Sequence, residues 1–354
     1  MIITVDCRMI DASGIGTYLR GILPFFLKSE NNFLLLGNER QLSIFSEYKN
    51  TFILHYKTKP FSVNELFFFP LKNLKKINKT SFFYSPFFNV PAGIKIPVFT
   101  TIHDIIFPDM PELYSKTGLI ARMYFLRRAH KKSKKIFTVS EFSKSRIEHH
   151  LGGNKKIIVT HSAIQSSFLE YRDKIQKIKK KQVIIFIGNV KKNKGLSCLV
   201  EAFISAKKEG LPHKLVIIGE KNNMRTGDKE ILKLINSTQK DDVTFTGYIS
   251  GGKLMEYISE ASLLVQPSLY EGFCLPPLEA MVLGTSALIS DIPVFREIYS
   301  GYPVTFFRCR DSADLKENML KLLSGEPSVI NLSNDLLTKY TFEKTASAIM
   351  KELN

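Results

Sequence analysis

Between residues 183 and 290 the chain repeats one pattern: a short apolar run closed by Gly, Ser or Thr, then a loop, then an amphipathic stretch. The runs begin at Val183 (VIIFIG), Lys214 (KLVIIG), Val243 (VTFTG), Ser262 (SLLVQPS) and Ser286 (SALIS), and helices are predicted over 196–209, 229–237, 252–260 and 277–283. Strands that alternate with helices pair in parallel, because each helix returns the chain to the same end of the sheet. Such a doubly wound sheet binds ligands at the carboxyl ends of its strands, where each run here gives way to a loop.

The first half alternates in the same way. Strands are predicted at 2–5, 33–36, 51–54, 82–85, 98–102, 135–140 and 157–159, with helices at 17–28, 115–134 and 141–150. A chain of 354 residues exceeds what one core usually organises, so two domains are expected. The polar, basic stretch EYRDKIQKIKKK (170–181) separates the two series. The predicted domains are therefore 1–170 and 171–338, followed by a terminal segment, 339–354. Its helix, from Phe342 to Leu353, is amphipathic through Phe342, Ala346, Ile349, Met350 and Leu353.

Charge is concentrated in the first series: residues 1–165 hold 24 Lys and Arg against 11 Asp and Glu, net +13 of the chain's +17. That half is expected to meet an anionic partner, such as an acidic leaflet, a phosphorylated lipid acceptor or nucleic acid. No recognition helix, OB-type strand set or RNP-type aromatic motif accompanies the charge, so a basic nucleic-acid-binding protein is the alternative class and no nucleic acid is expected. The start, MIITVDCR, reads as a strand rather than a secretory signal, and no apolar run approaches the roughly 18 residues of a spanning helix. Cys7, Cys198, Cys274 and Cys309 form no C-x-x-C pair, which fits reduced thiols in a cytoplasmic setting.

Chemistry is most concentrated in Glu271-Gly-Phe-Cys-Leu-Pro-Pro-Leu-Glu279, after the strand SLLVQPS. Proline at the first helical positions with Glu279 in the first turn makes this a strand, loop and helix start. Amides in such a loop can cradle phosphate or sugar oxygens, and two flanking carboxylates can each accept bonds from vicinal hydroxyls. A Glu at a helix start, taken alone, is also ordinary dipole compensation. Upstream, Lys194 lies in the loop after VIIFIGN, where the alternative is a solvated surface charge.

These residues resemble the E-x7-E signature of glycosyltransferase family 4, retaining enzymes of GT-B fold, and the likeness runs from Val183 to Asp291. It is weaker over the first half. The resemblance implies two Rossmann-like doubly wound α/β domains facing a central cleft, with the first on the acceptor side, the second binding the nucleotide sugar, and the terminal helix crossing back to the first. It implies that Glu279 binds the ribose hydroxyls, that Glu271 holds hydroxyls of the donor sugar, and that amides at Phe273, Cys274 and Leu275 face sugar and phosphate. Lys194 corresponds to the family's diphosphate-binding Lys. The Arg that usually accompanies it, at 189 or 193, is replaced by Asn189 and Asn193, leaving Lys191 or Lys192 to supply a second charge. Tyr248 and Ile249 fall where the family holds the base.

In the first half, Ser13-Gly14-Ile15-Gly16-Thr17-Tyr18 resembles the family's N-terminal loop, with Gly14 and Gly16 allowing close backbone approach before a helix from about Thr17. His103 and Asp104, at the end of a buried strand, resemble its His-Asp element beside the donor sugar. Ser140, as helix cap, and Arg146 lie in a serine-rich turn similar to one that faces the family's cleft; Arg146 reads equally as a phosphate contact or a solvated helix charge. With no D-x-D after a strand and no His/Cys cluster at ligand spacing, a metal-independent enzyme with no cofactor is expected. His103, Glu271 and Lys194 are its expected catalytic residues.

The implied activity is retaining transfer of a hexose, mannose or rhamnose first, from a nucleoside diphosphate sugar to a glycan or polyprenyl-diphosphate-linked acceptor in bacterial surface polysaccharide synthesis. GDP is the favoured nucleotide; a UDP-hexose-dependent transferase is the alternative within the family. Two basic, apolar stretches suggest contact with the inner face of an anionic plasma membrane. One is the helix bearing Arg122, Arg127, Arg128, Lys131, Lys132, Lys134 and Lys135 beside Leu119, Ile120, Met123, Phe125 and Leu126; the other is Phe67-Phe68-Phe69-Pro70-Leu71 followed by Lys72, Lys75, Lys76 and Lys79. A core-facing stripe with a solvated basic face accounts for them equally.

Overall fold

The computed structural model describes residues 1–153, 156–175, 179–219, 242–325 and 329–353, apart from the side chain of Val63. The chain divides into two compact units, Met1–Ala163 with Tyr340–Asn354, and Ile164–Lys339. Each is built on a parallel sheet.

Among the described residues of the first unit, seven strands run β1 (Ile2–Asp6), β2 (Asn32–Gly37), β3 (Thr51–His55), β4 (Phe82–Ser85), β5 (Val98–Ile102), β6 (Ser133–Thr138) and β7 (Ile157–Val159), ordered β3-β2-β1-β4-β5-β6-β7. The second unit has six described strands, β8 (Lys181–Ile187), β9 (Lys214–Ile218), β10 (Val243–Gly247), β11 (Ala261–Gln266), β12 (Ser286–Ser290) and β13 (Val304–Phe307), ordered β10-β9-β8-β11-β12-β13. All neighbouring pairs are parallel. Strand order reverses direction between β1 and β4 and between β8 and β11, so a crevice is expected at the carboxyl end of each pair.

The central strands are apolar throughout because helices cover both faces. In the second unit the helix Leu196–Lys208 buries Leu196, Leu199, Val200, Phe203 and Ala206 at helical spacing. These meet Phe186, Leu215, Ile217, Val265 and Leu288 of the sheet. The edge strand β13 and the helix Ser312–Leu323 extend the alternation past SALIS. The helix predicted at 229–237 lies outside the described residues.

Three predicted boundaries move. The division falls at Ala163–Ile164, not at residue 170, because the helix Ser166–Lys174 packs on the helices Gly251–Glu260 and Pro276–Val282 of the second unit. The first helix spans Ser13–Leu27 instead of starting at about Thr17, so Gly14 and Gly16 are in its first turn. Gly16 is there because the helix start crosses the preceding loop: a Cβ would lie 2.3 Å from the Ile10 carbonyl oxygen. The terminal boundary moves by one residue, to Lys339–Tyr340.

The terminal helix Phe342–Leu353 packs on Ser13–Leu27, with the Phe342 ring over Gly21 and edge-on to Tyr18 at 6.2 Å. Glu352 at its far end joins Lys135 at 2.8 Å and Lys156 at 3.0 Å. No helix of the described residues is long and apolar enough to cross a membrane.

Candidate active site

In the second unit the loops after β8 and β11 meet at the strand-order reversal. The first contains a short turn of helix, Lys192–Lys194, and then Gly195 at φ +64°. A Cβ at Gly195 would fall 1.9 Å from the Pro267 carbonyl oxygen, so the two loops touch backbone to backbone. Asn193 ties them further: its carbonyl accepts the Leu269 N–H at 2.7 Å, and its Nδ2 donates to the Tyr270 carbonyl at 3.3 Å. Asn193 therefore joins loop to loop where the resemblance implies an Arg at 189 or 193. Asn189 is half-buried, and Lys191 and Lys192 are exposed.

This contact sets Lys194 beside Glu271, Nζ to Oε1 2.6 Å. The same carboxylate oxygen accepts the Ser268 hydroxyl at 2.7 Å, and Ser268 Oγ in turn accepts Gln266 Nε2 at 3.0 Å. Glu271 is thus held in one orientation by Lys194 and Ser268. Its side chain and that of Lys194 keep 10% and 22% of their exposure, enough for both to be reached from solvent.

The following loop is shaped by Cys274, a non-glycine residue at φ +71°. Its carbonyl accepts the buried Tyr299 hydroxyl, which holds a conformation that costs a side-chain-bearing residue about 1–2 kcal/mol. Pro276 and Pro277 open the next helix, Pro276–Val282, and remove two amide donors from it. Donors remain just upstream: neither the Cys274 nor the Leu275 amide is committed to a backbone bond among the described residues. Phe273 is buried beneath them, and burial pushes the Cys274 thiol well above its ordinary value, keeping it neutral. Tyr299→Phe leaves the Cys274 carbonyl without this donor; we expect a loss of about 1–2 kcal/mol in stability and a fall in turnover exceeding any fall in nucleotide affinity, read by denaturant melts and initial rates.

Glu279 sits in the first turn of that helix, 9% exposed, with no ion-pair or hydrogen-bond partner for its carboxylate among the described residues. Desolvation raises its pKa from 4.5 to about 7. Such a carboxylate gains strongly from a ligand that donates hydrogen bonds. At the end of β10, Ile249 is half-buried and Tyr248 is 70% exposed.

In the first unit, His103 follows β5. Its Nε2 lies 2.8 Å from the Pro86 carbonyl, which can only accept, so the proton is on Nε2 and Nδ1 is left as an acceptor. Burial lowers its pKa below 6.5 and keeps the ring neutral. Tyr18, two residues beyond Gly16, meets this ring edge-on at 4.7 Å, so the glycine-bearing helix start and the His103 loop come together. Asp104 accepts the Ile106 N–H at 3.2 Å, just ahead of the short helix Ile106–Asp109. Ser140 caps Glu141–Leu151 through the Ser143 N–H at 3.0 Å. Arg146, read as a phosphate contact or a solvated charge, instead chelates Asp109, with Nε at 2.9 and 3.1 Å, and His150 Nε2 joins the same carboxylate at 2.6 Å.

Ser268 and Tyr299 carry no signal in the sequence, and the loop-joining role of Asn193 and the contact of Tyr18 with His103 carry none either. Only the proximity created by the fold shows these contacts.

The chain matches the model for Glycosyl transferases group 1 over residues 167–336 and that for Glycosyltransferase Family 4 over residues 76–168. It is 28% identical over 248 residues to the O-antigen chain mannosyltransferase RfbU of Salmonella typhimurium, covering 69% of this chain and 65% of that protein. It is 27% identical over 225 residues to the serotype-specific mannosyltransferase WbdA of Escherichia coli, covering 60% of this chain and 27% of that protein. The match thus spans less than two thirds of either relative's length. Among solved structures, HepE of Anabaena in complex with UDP and glucose superposes with a TM-score of 0.69 at 15% identity, over 100% of this chain and 99% of that one. The sucrose-phosphate synthase of Thermosynechococcus elongatus gives 0.72 at 13% identity, over 99% and 98%. At such identities the likeness is one of fold, the GT-B arrangement of two Rossmann-like units.

Proposed function

Because the chain belongs to the glycosyltransferases of family 4, we propose that it moves a hexose, mannose first, from a nucleoside diphosphate sugar to a glycan acceptor of a bacterial surface polysaccharide. The observation that carries this reading is the division of labour between two carboxylates. Glu271 is bonded to Lys194 and Ser268, while Glu279 is buried without a partner among the described residues and suited to accept two vicinal hydroxyls. The mannosyltransferase names of the O-antigen relatives favour mannose, and GDP as its usual carrier.

Departure of the nucleoside diphosphate needs positive charge at the leaving oxygens. Lys194 supplies it, with the Cys274 and Leu275 amides as neutral donors. A diphosphate on Lys194 competes with Glu271 for the cation and frees the Glu271 carboxylate for sugar hydroxyls. Donor binding thereby switches the pair from bonding each other to bonding the ligand. His103, neutral with Nδ1 open, accepts a hydroxyl bond and takes no charge. The chemistry proceeds with retention, the leaving phosphate guiding the acceptor on the same face, and demands no protein nucleophile. The acceptor is lipid-linked, at the inner face of the plasma membrane.

The test is a panel of nucleotide sugars scored by thermal shift and by nucleotide release with a polyprenyl-diphosphate-linked glycan. GDP-mannose is expected to stabilise and to be consumed, with the α-anomer retained in the product. Transfer is expected to survive EDTA within two-fold, because Lys194 and the amides take the phosphate charge; loss of transfer restored by added Mg2+ would show that a metal shares it. Stabilisation by a UDP-hexose alone moves the assignment to that donor. Salt-sensitive nucleic-acid binding without any nucleotide effect refutes the class.

A further inference from the structure

A buried polar cluster in the first unit is not used by the transfer chemistry. Arg8, two residues past β1, joins Asp6 through Nε to Oδ1 at 2.8 Å and reaches Glu65 through Nη2 at 2.5 Å; the Arg8 and Glu65 side chains are 2% and 0% exposed. Glu65 also accepts Asn89 Nδ2 at 2.8 Å and the Phe61 N–H at 3.0 Å. Phe69 is buried against Tyr56 at 4.6 Å. These contacts fasten the segment 61–69 to the end of β1 and to the loop after β4. A buried charge cluster of this kind fixes one arrangement, since losing any member strands the others without partners.

The residues next to these anchors turn outward. Phe67, Phe68 and Leu71 are 75%, 73% and 75% exposed. Isolated exposed apolar residues are ordinary, but three within five positions on fastened backbone mark a contact surface. Exposed Lys72, Lys75, Lys76 and Lys79 follow, and no acidic residue occurs between Glu65 and Asp104. In the same unit the helix Lys116–Lys132 shows an exposed stripe of Ile120, Tyr124, Arg127 and Lys131. Phe61 links that helix to the fastened segment through Phe125, with ring centroids 5.3 Å apart.

We propose that Phe67, Phe68 and Leu71 insert into the headgroup region of an anionic bilayer while Lys72, Lys75, Lys76 and Lys79 bind lipid phosphates. The proposal deepens the reading of a lipid-linked acceptor and rests on it for its purpose. A bilayer suits this surface better than an acidic protein: the three apolar side chains are about three-quarters exposed, the cations are on flexible stems, and neither demands a complementary shape.

The full chain contains no Trp, so Phe68→Trp places a sole indole at the tip. Its emission is expected to shift to the blue with vesicles of phosphatidylglycerol and phosphatidylcholine, and to be quenched by brominated lipid, but to stay unchanged with pure phosphatidylcholine. In sedimentation with the anionic vesicles, without donor, F67S/F68S/L71S is expected to bind at least ten-fold more weakly than the wild type at an unchanged melting temperature. Replacing the four lysines by Gln has a similar effect. An unshifted indole, a wild type that ignores anionic vesicles, or a triple variant that binds as well as the wild type overturns the proposal. Thermal shift by nucleotides on the same samples reports separately on the transferase reading: vesicle binding lost with nucleotide stabilisation retained removes the docking surface alone.

Discussion

Glu279→Gln stabilises the unliganded protein at pH 8 by roughly 2–3 kcal/mol and weakens a nucleoside diphosphate by about ten- to a hundred-fold. The first effect follows from linkage. Burial raises the carboxyl from 4.5 to about 7, so the folded state holds this proton more tightly than the unfolded chain does. The associated stability is fully present below the unfolded value and is lost as pH rises through about 7, at about 1.4 kcal/mol for each unit of difference. Wild type should therefore lose roughly 3 kcal/mol relative to the variant between pH 4.5 and pH 8; the cost of burying the amide is independent of pH and reduces only the variant's net gain at pH 8. The second effect follows from hydrogen bonding, since a carboxylate that accepts two ribose hydroxyls is worth about 1.5–3 kcal/mol over an amide that can accept with only one oxygen. Denaturant titrations at three pH values and calorimetric nucleotide titrations measure the two effects. Parallel pH profiles for wild type and variant would refute the assignment of the proton to Glu279. A gain in stability with a loss in affinity is the mark of a residue kept for binding at the expense of the apo fold.

Lys194→Met lowers turnover by about a hundred- to a thousand-fold, the range seen when one preorganised donor is removed from a developing anion. The selectivity of the effect matters more than its size. Affinity for the free nucleoside should hardly change, that for the monophosphate should fall slightly, and that for the diphosphate should fall most. The variant also leaves Glu271 bonded to Ser268 without a cation, so some loss of stability is expected. Uniform weakening across nucleoside, mono- and diphosphate would remove Lys194 from the phosphates.

Much of this was legible in sequence. The alternation from Val183 to Ser290 specifies the second sheet because each buried strand is short, apolar and stopped by a loop-forming residue. Glu271 and Glu279 were legible for a similar reason: they bracket a loop whose prolines announce a helix. Contacts between loops distant in sequence were not. Asn193 reaches Tyr270 and Lys194 reaches Glu271 across 77 positions, and Tyr299 reaches Cys274 across 25; no local period records such pairs. Two glycines read as loop up to about Thr17, whereas the helix begins at Ser13 and Gly16 is demanded by the Ile10 carbonyl beneath it. Arg146 looked available for an anion because its partner Asp109 lies on another helix, 37 positions away.

The return of the terminal helix to the first unit makes the second unit an insertion within it. The seam is tight: His161 and Tyr340 stack edge-on at 5.2 Å, and the Thr345 hydroxyl lies 3.4 Å from the His161 carbonyl. During vectorial synthesis the inserted unit is therefore complete while its host still lacks the helix that covers Tyr18 and Gly21. The inserted unit can mature on the ribosome before the unit that bears His103 is closed, because the helix Phe342–Leu353 that closes it is made only after the insertion.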